Sequence, residues 1–147
     1  MSIEIEEITN KFEELSLTEI DDSGWEYLLG NAYYKNKQFK EAIESLLKAT
    51  ELNSNDADNL YWLGNSYIGL KDYNNAINSY EKGIEINSTN CDMLNNYGLA
   101  LANLNKIEEA KKYFEKALEI DSDYKLAKDN IDSLNSFDID SLRISEK

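Results

Sequence analysis

The side chains that most often carry out catalysis are few in this sequence. The 147 residues include no histidine and a single cysteine, Cys91. Without histidine, the chain cannot build a Ser-His-Asp triad, a Cys-His pair or a histidine-ligated metal site. The acidic doublets at 121–123 and 138–140 lack the spacing of a calcium-binding loop. We therefore predict that the protein is not an enzyme and uses no metal and no cofactor.

Cys91 opens a predicted helix, where a thiolate can be stabilised, but a free structural thiol is its commoner role. One cysteine cannot form an intrachain disulfide, which is typical of a reducing compartment. The sequence has no apolar run long enough to span a membrane, and its acidic N-terminus does not resemble a signal peptide. These features favour a cytoplasmic protein without a membrane partner.

The chain is strongly acidic, with 15 basic and 29 acidic side chains and a formal net charge of −14. Nucleic-acid binding needs clustered Lys and Arg, so it is disfavoured. The electrostatically favoured partner is another protein or peptide of neutral to basic charge.

The sequence repeats at an offset of 34 residues, over 23–56, 57–90 and 91–124. Each unit contains two segments in which apolar residues recur along one helical face, joined by a short polar turn. The turns are KNKQ (35–38), LKD (70–72) and LNK (104–106). Each unit therefore predicts a helix–turn–helix pair.

A glycine recurs inside the first predicted helix of every unit, at Gly30, Gly64 and Gly98. Glycine in a helix interior costs about 1 kcal/mol relative to alanine, so its recurrence predicts a close helix crossing. The residues that we expect on the other side of this crossing are Ala42, Ala76 and Ala110.

The first unit carries its pattern on Leu29, Gly30, Tyr33, Phe39, Ala42 and Ala49, and the other units match at the same offsets. This pattern and its 34-residue period resemble the tetratricopeptide repeat (TPR) family. The resemblance implies an all-α fold, a right-handed α-solenoid of three helix–turn–helix repeats with an N-terminal amphipathic helix and a C-terminal capping helix. The expected parts are an acidic amphipathic helix (1–22), three repeats (23–56, 57–90, 91–124), a capping helix (125–135) and a tail (136–147).

One departure from the family pattern concerns proline. The family usually has a proline near the end of the second helix, but Ser54, Ser88 and Ser122 stand there and the chain has no proline. The stretches 53–56, 87–90 and 121–123 are rich in N-cap residues. We expect capping to start the following helices instead.

The resemblance also implies a concave groove lined by the first helix of each repeat. Aromatic anchors and asparagine amides on one helical face suit a peptide-binding site. The predicted groove residues are Tyr27, Asn31, Tyr34, Tyr61, Trp62, Asn65, Asn95 and Leu99. We expect replacement of Tyr61 and Trp62 by alanine to abolish binding and to leave thermal stability nearly unchanged.

Chaperone co-factors of this family hold a C-terminal carboxylate with lysine, asparagine and arginine side chains. The corresponding residues here are Tyr27, Asn31, Trp62, Asp92 and Asn96, which keep one of the asparagines and no cation. Asp58 and Asp92 would repel an acidic chaperone tail, so we expect no such binding.

The two flanks leave alternatives open. The N-terminal segment carries an apolar face of Ile5, Ile8, Phe12 and Leu15. It either covers the open end of the first repeat or lies in the groove and competes with a ligand. Residues 136–147 form a frayed tail, a short helical extension or a ligand for another copy of the protein.

The leading hypothesis is a non-enzymatic scaffold that binds a peptide segment of a partner in its concave groove. The alternative is a self-associating assembly protein whose groove takes its own or a neighbour's terminal helix. That alternative implies a homo-oligomer formed through terminal segments.

Overall fold

The computed structural model describes residues 5–7, 9–11 and 21–147, and these contain helices and no strand. Residues 5–7 and 9–11 are helical. The helices of the range 21–147 are α1 (Asp22–Lys35), α2 (Phe39–Leu52), α3 (Ala57–Gly69), α4 (Tyr73–Ile86), α5 (Cys91–Asn103), α6 (Ile107–Ile120) and α7 (Lys125–Asn135). A 3₁₀ turn, Ile139–Ser141, follows α7.

The helices stack in chain order, each packing on the next. In addition, α1 contacts α3, α3 contacts α5, and α5 contacts α7. The first helices of successive pairs therefore share one face of the stack, which we call the groove. This arrangement confirms the predicted all-helical repeat solenoid.

Side-chain caps start the first helices of the repeats. The Asp56 carboxylate accepts hydrogen bonds from the backbone N–H groups of Asp58 and Asn59, and the Asn90 side chain accepts one from Met93 N–H. Capping at these two proline-free junctions is as expected. The capping prediction is wrong for the third junction, because the N-cap residue of α7, Tyr124, makes no side-chain capping bond.

Each first helix ends in the same left-handed turn. Lys37, Lys71 and Asn105 have φ angles of 60°, 57° and 62°, and Phe137 after α7 has a φ of 56°. In every case the next residue donates its N–H to a carbonyl five residues earlier, as Asp138 N–H does to Ser133 O at 2.9 Å. The end of α7 is thus built like the end of α1, α3 or α5. The chain then enters a 3₁₀ turn where a repeat would place its second helix.

The recurring glycines lie at close helix crossings, and of the predicted alanines Ala110 lies near its glycine, with its carbonyl oxygen 3.1 Å from a Cβ built on Gly98. A Cβ built on Gly30 would lie 2.6 Å from Leu46 Cγ, and one on Gly98 would lie 2.8 Å from the Phe114 ring. At Gly64 the added Cβ would collide with the Tyr80 ring. The nearest partners are therefore large side chains, one helical turn beyond the predicted Ala42, Ala76 and Ala110. A large side chain needs the space that a missing Cβ leaves.

Two buried clusters hold the stack together. The larger one spans α3 to α7 and includes Tyr80 and Phe114, both fully buried. The smaller one joins α1 and α2 to α3 through Tyr34, Leu46 and Leu63. The predicted apolar face of the N-terminal segment includes Ile5, which is buried. The other three residues of that face lie outside the described residues.

Cys91 has a structural environment. Its Sγ donates to the Ala117 carbonyl at 3.5 Å, just as Ser23, two repeats earlier, donates its hydroxyl to Ala49 O at 3.3 Å. Burial raises the pKa of the Cys91 thiol, with the charges of Asp121 and Asp92 adding to the effect. A neutral thiol that bonds a neighbouring helix end fits the structural role.

Candidate functional site

The groove holds a segment of the chain itself. After the 3₁₀ turn, residues 142–147 run across the faces of α7, α5 and α3. Arg143 is bound from α7 and α5, whereas Ser145 is bound from α5 and α3. The segment therefore runs from the last helix toward the first repeat. We call residues 142–147 the groove segment.

Two asparagines each bind both backbone groups of one residue in the groove segment. Asn130 Oδ1 accepts the Arg143 N–H at 2.9 Å, and its Nδ2 donates to Arg143 O at 2.9 Å. Asn96 does the same for Ser145, at 2.6 Å to the N–H and 2.8 Å to the carbonyl. In extended chains, alternate residues direct their N–H and C=O to the same side, as bonding at 143 and 145 requires. Each asparagine thus replaces one residue of a neighbouring β-strand.

Further donors converge on the same two carbonyls. The Tyr61 hydroxyl donates to Ser145 O at 2.8 Å, and Asn65 Nδ2 donates to it at 3.3 Å. Asn95 Nδ2 donates to Arg143 O at 3.1 Å. The contacts on these carbonyls are contacts to backbone, so they recognise an extended chain whatever its side chains.

The asparagines are also bonded to one another. Tyr80 donates its hydroxyl to Asn65 Oδ1 at 2.6 Å, and Asn96 Nδ2 donates to the same oxygen at 2.8 Å. Asn95 Nδ2 donates to Asn96 Oδ1 at 3.1 Å, and Asn130 Nδ2 donates to Asn95 Oδ1 at 2.8 Å. These bonds hold each amide in the orientation in which it contacts the groove segment. We call Asn65, Asn95, Asn96 and Asn130 the asparagine network.

The Ser145 side chain has its own partner. Its hydroxyl donates to Asp92 Oδ1 at 2.5 Å, and the Tyr124 hydroxyl donates to the same oxygen at 2.6 Å. Ser145 is only 4% exposed. Burial, followed by the hydrogen bond to Asp92, raises the pKa of Tyr124 far above its ordinary value. The Tyr124 hydroxyl therefore stays protonated and donates to Asp92.

The apolar side chains of the groove segment lie on a different part of the groove. Leu142 and Ile144 line one pocket with Ile68 and Leu99. Both are half-buried and pack on the larger core cluster. They alternate along the chain with the backbone-bound residues 143 and 145, as a strand with two distinct faces requires.

An aromatic row lies at the first-repeat end of the groove. The Trp62 ring meets Tyr34 edge-on at 5.2 Å and Tyr61 at 5.1 Å between centroids. Burial raises the pKa of Tyr34, and the charge and hydrogen bond of the neighbouring Glu146 carboxylate raise it further. Glu146 of the groove segment therefore reaches α1.

The structure brings six of the eight predicted site residues together at the groove segment or in the aromatic row. These six residues are Tyr34, Tyr61, Trp62, Asn65, Asn95 and Leu99. Tyr27 instead packs on the smaller core cluster. The Asn31 Oδ1 atom is buried without a hydrogen-bond partner among the described residues.

The expectation for Tyr61 needs correction. Its ring is 2% exposed and belongs to the larger core cluster, so truncation to alanine would leave a buried cavity. Trp62 packs partly on both clusters. Alanine at these positions is therefore expected to lower thermal stability as well as binding.

The prediction left out three residues that bind the groove segment: Asn96, Asp92 and Asn130. Asn96 and Asp92 face the groove by their repeat positions, but they were not chosen as anchors. Asn130 lies 34 residues after Asn96, so extending the repeat offset into the capping helix would have identified it.

Of the three interpretations of residues 136–147, the short helical extension describes only the 3₁₀ turn, Ile139–Ser141, and none describes residues 142–147. They are neither frayed nor helical, and they occupy the groove of their own chain. The alternative with a terminal helix in the groove is corrected in one respect, because the bound segment is extended. Four buried amides bind backbone groups of this segment, whereas a helix uses its own N–H and C=O groups internally.

Within the described residues, no cluster of three or more acidic, cysteine or histidine side chains could hold a metal ion. No helix in the described ranges is long and apolar enough to cross a membrane.

Several solved structures share this fold. The first TPR of Spaghetti (RPAP3) bound to HSP90 peptide SRMEEVD is 22% identical, with a TM-score of 0.76 over 79% of this chain and 92% of that chain. The Arabidopsis OM64 TPR domain is 26% identical, with a TM-score of 0.75 over 78% of this chain and 94% of that chain. A crystal structure of MamA is 20% identical, with a TM-score of 0.79 over 95% of this chain and 88% of that chain.

Sequence comparison identifies the repeats directly. A search of curated proteins finds no match for the chain. A TPR repeat model matches residues 30–71, and a tetratricopeptide repeat model matches residues 57–90 and 92–124. Together these matches cover more than half of the 147 residues and all three predicted repeats in whole or in part. The chain belongs to the tetratricopeptide repeat family.

Proposed function

We propose that this protein is a non-enzymatic scaffold whose groove binds an extended segment of another protein through the backbone. The observation that carries the proposal is the pair of asparagines, Asn96 and Asn130, that each bind both backbone groups of one residue. Without a bound chain, the four buried amides of the asparagine network would lose their hydrogen bonds to its backbone. A surface of this kind is suited to holding a peptide.

The similar structures support the peptide class of ligand and not the particular ligand. One TPR with this fold is bound to an HSP90 peptide, and another is in complex with an HSP70 peptide. In this chain, Asp92 stands where the family's carboxylate grip has a cation. The Asp92 carboxylate accepts two hydroxyl donors and would repel an acidic tail.

We infer that the partner segment is neutral to basic. Asp121, Asp123 and Asp129 line one pocket with the exposed Arg143, and of these carboxylates Asp129 pairs with Lys125, which lines the pocket too. The chain as a whole carries a net charge of −14. Opposite charge on the partner would speed its association and favour a basic residue at the Arg143 place.

The test uses the full chain with Arg143→Pro and Ser145→Pro, which removes the two N–H groups that Asn130 and Asn96 accept. A labelled peptide DIDSLRISEK, the sequence of residues 138–147, is then added and its fluorescence anisotropy is measured. We expect saturable binding. Methylation of the peptide nitrogen at the Ser145 place should weaken binding about tenfold or more, because that N–H is a buried donor.

Methylation at the Ile144 place is the matched control. Within the described residues the Ile144 N–H donates no hydrogen bond, so this change should have a smaller effect. Equal loss from both methylations would contradict backbone recognition by the asparagine network. No binding of any peptide would contradict the groove assignment itself.

A second candidate function is self-association, since a segment that fits its own groove also fits the groove of another copy. Light scattering across a dilution series separates the two. An oligomer of two or more chains that dissociates on dilution, and that does not form with Ser145→Pro, would favour self-association. A constant monomer mass would favour the scaffold.

A further inference from the structure

We propose that the groove segment is an internal copy of the partner's recognition sequence. This inference rests on the proposed function and adds the side-chain chemistry of the ligand. The partner would be an extended segment with apolar residues at the Leu142 and Ile144 places. It would carry an unmodified hydroxyl residue, serine or threonine, at the Ser145 place.

The hydroxyl requirement follows from Asp92. Its Oδ1 accepts the Ser145 hydroxyl at 2.5 Å in a place where Ser145 is 4% exposed. A carboxylate that faces a buried site favours a hydrogen-bond donor there and disfavours another anion. Tyr124 fills the other approach to the same oxygen. A side chain seated there must therefore be small, uncharged and able to donate.

The apolar requirement follows from the pocket on the other part of the groove. Ile68 and Leu99 line it together with Leu142 and Ile144 of the groove segment. Both side chains are half-buried and pack on the larger core cluster, so apolar residues at these places bury surface that favours them over polar residues. Arg143 lies between the two and is exposed near Asp121, Asp123 and Asp129, so its place tolerates many residues but favours a basic one.

The backbone contacts and the side-chain contacts have different consequences. Asn96 and Asn130 bind N–H and C=O groups that every residue except proline has in full. They supply affinity without sequence preference. Selection therefore depends on Asp92 and on the Ile68–Leu99 pocket.

A ligand copy within the same chain competes with the partner. A short tether gives an effective concentration of roughly millimolar, so a partner segment must displace the groove segment before it binds. The apparent affinity of the intact chain is reduced by the fraction of molecules with a filled groove.

The test compares labelled peptides on the full chain with Arg143→Pro and Ser145→Pro. The peptides are DIDSLRISEK and versions with Thr, Val or phosphoserine at the Ser145 place. Ser and Thr should bind similarly, and Val, which has the shape of Thr without the hydroxyl, about tenfold more weakly. Phosphoserine should bind about 100-fold more weakly because of the Asp92 charge.

Two variants complete the design. Asp92→Asn should narrow the difference between serine and phosphoserine peptides, which a general loss of groove structure would not do. Ser145→Asp in the full chain is a second way to empty the groove, should the proline variant fail to fold. The chain with its natural sequence should bind the serine peptide at least about tenfold more weakly than either emptied chain.

Each outcome bears on one claim. Equal binding of Thr and Val peptides, with the N-methyl effect still present, would overturn hydroxyl selection and leave the proposed function intact. Equal affinity of the natural and emptied chains would overturn the internal copy. Failure of every peptide to bind the emptied chains would reject the proposed function as well.

Discussion

At the scale of single residues, the groove depends on what an asparagine side chain shares with a peptide bond. Both offer one carbonyl acceptor and an N–H donor in a plane. Asn96 and Asn130 use the two groups on one backbone residue each, as a strand neighbour would. A helical surface can therefore receive an extended chain without any strand of its own.

At position 59, in contrast, a buried asparagine lowers the stability of the fold. Its side chain is fully buried, and neither Nδ2 nor Oδ1 has a hydrogen-bond partner within the described residues. Met93 occupies the equivalent place in the next repeat and is also fully buried. Asn59 therefore costs stability where a methionine fits.

We predict that Asn59→Met raises the free energy of unfolding by about 1–2 kcal/mol, because it removes two unsatisfied buried groups. Urea unfolding followed by circular dichroism measures the change. Asn65→Met is the matched control on the same helix, because Asn65 is equally buried but bonded to Tyr80 and Ser145. It should lower stability. A loss of stability from Asn59→Met would refute this account of Asn59.

At the scale of elements, the same left-handed turn ends α3 and α7, but the chain that follows it differs. Lys71 has a left-handed φ of 57° at the end of α3, and Phe137 has 56° at the end of α7. The turn after α3 leads to a second helix, whereas the turn after α7 leads to a 3₁₀ turn. In sequence, the groove segment follows α7 where a repeat would have its second helix, but it lies in the groove against the first helices.

Substitution at Lys71 tests the cost of this turn. Lys71→Val should lower the free energy of unfolding by about 1–2 kcal/mol, since a β-branched residue is strained at positive φ. Lys106→Val is the control, because Lys106 is exposed and has a φ of −91°. It should change stability by less than about 0.5 kcal/mol. Equal effects of the two valines in urea unfolding would contradict the turn assignment.

The helix pairs were predictable because their information is local and repeated. Apolar spacing, Gly64 and its counterparts, and N-cap residues such as Asp56 recur every 34 residues. The groove assignment of Tyr34, Asn65 and Leu99 depends instead on the resemblance to the TPR family, which indicates the helical face that lines the groove.

The position of the groove segment was less accessible, because it depends on contacts made across the whole stack. Tyr61 and Ser145 are 84 residues apart in sequence and share a hydrogen bond. The alternation of Leu142 and Ile144 with polar residues is a strand-like signal, but it is too short to exclude a frayed tail. The polar residues of this alternation, Arg143 and Ser145, bind the asparagine network, which forms only when the repeats have stacked.

At the scale of the whole molecule, buried tyrosine hydroxyls connect the repeats and the groove. Burial is the largest cause that raises the pKa of each of them above the ordinary value of 10.0. The most strongly buried or bonded of these tyrosines are Tyr34, Tyr61, Tyr80, Tyr97 and Tyr124. As the pH rises, the unfolded chain therefore loses its tyrosine protons at a lower pH than the folded state does.

The sign of the pH effect follows from this difference. Below pH 10 tyrosines in both states are protonated, so the stability contribution is complete. As the pH rises above 10 the unfolded tyrosines ionise, and each tyrosine whose pKa is raised by burial lowers stability by up to about 1.4 kcal/mol per pH unit. We predict progressive destabilisation in urea unfolding between pH 10 and pH 11.

Tyr80→Phe is the control for this prediction. It removes the fully buried tyrosine hydroxyl, so its stability should fall less steeply above pH 10 than that of the natural sequence. Its stability at pH 7 should be lower, because Asn65 loses a donor. Stability that is unchanged up to pH 11 would contradict the burial of these hydroxyls.

Hydrogen exchange of the groove segment tests the central claim most directly, on the full chain and without any partner. Asn130 and Asn96 accept the N–H groups of Arg143 and Ser145, whereas the described residues offer the N–H of Ile144 no acceptor. Exchange rates of single amides by NMR should therefore alternate, with slow exchange at 143 and 145 and fast exchange at 144. Uniformly fast exchange at all three would show that the asparagine network does not hold an extended chain.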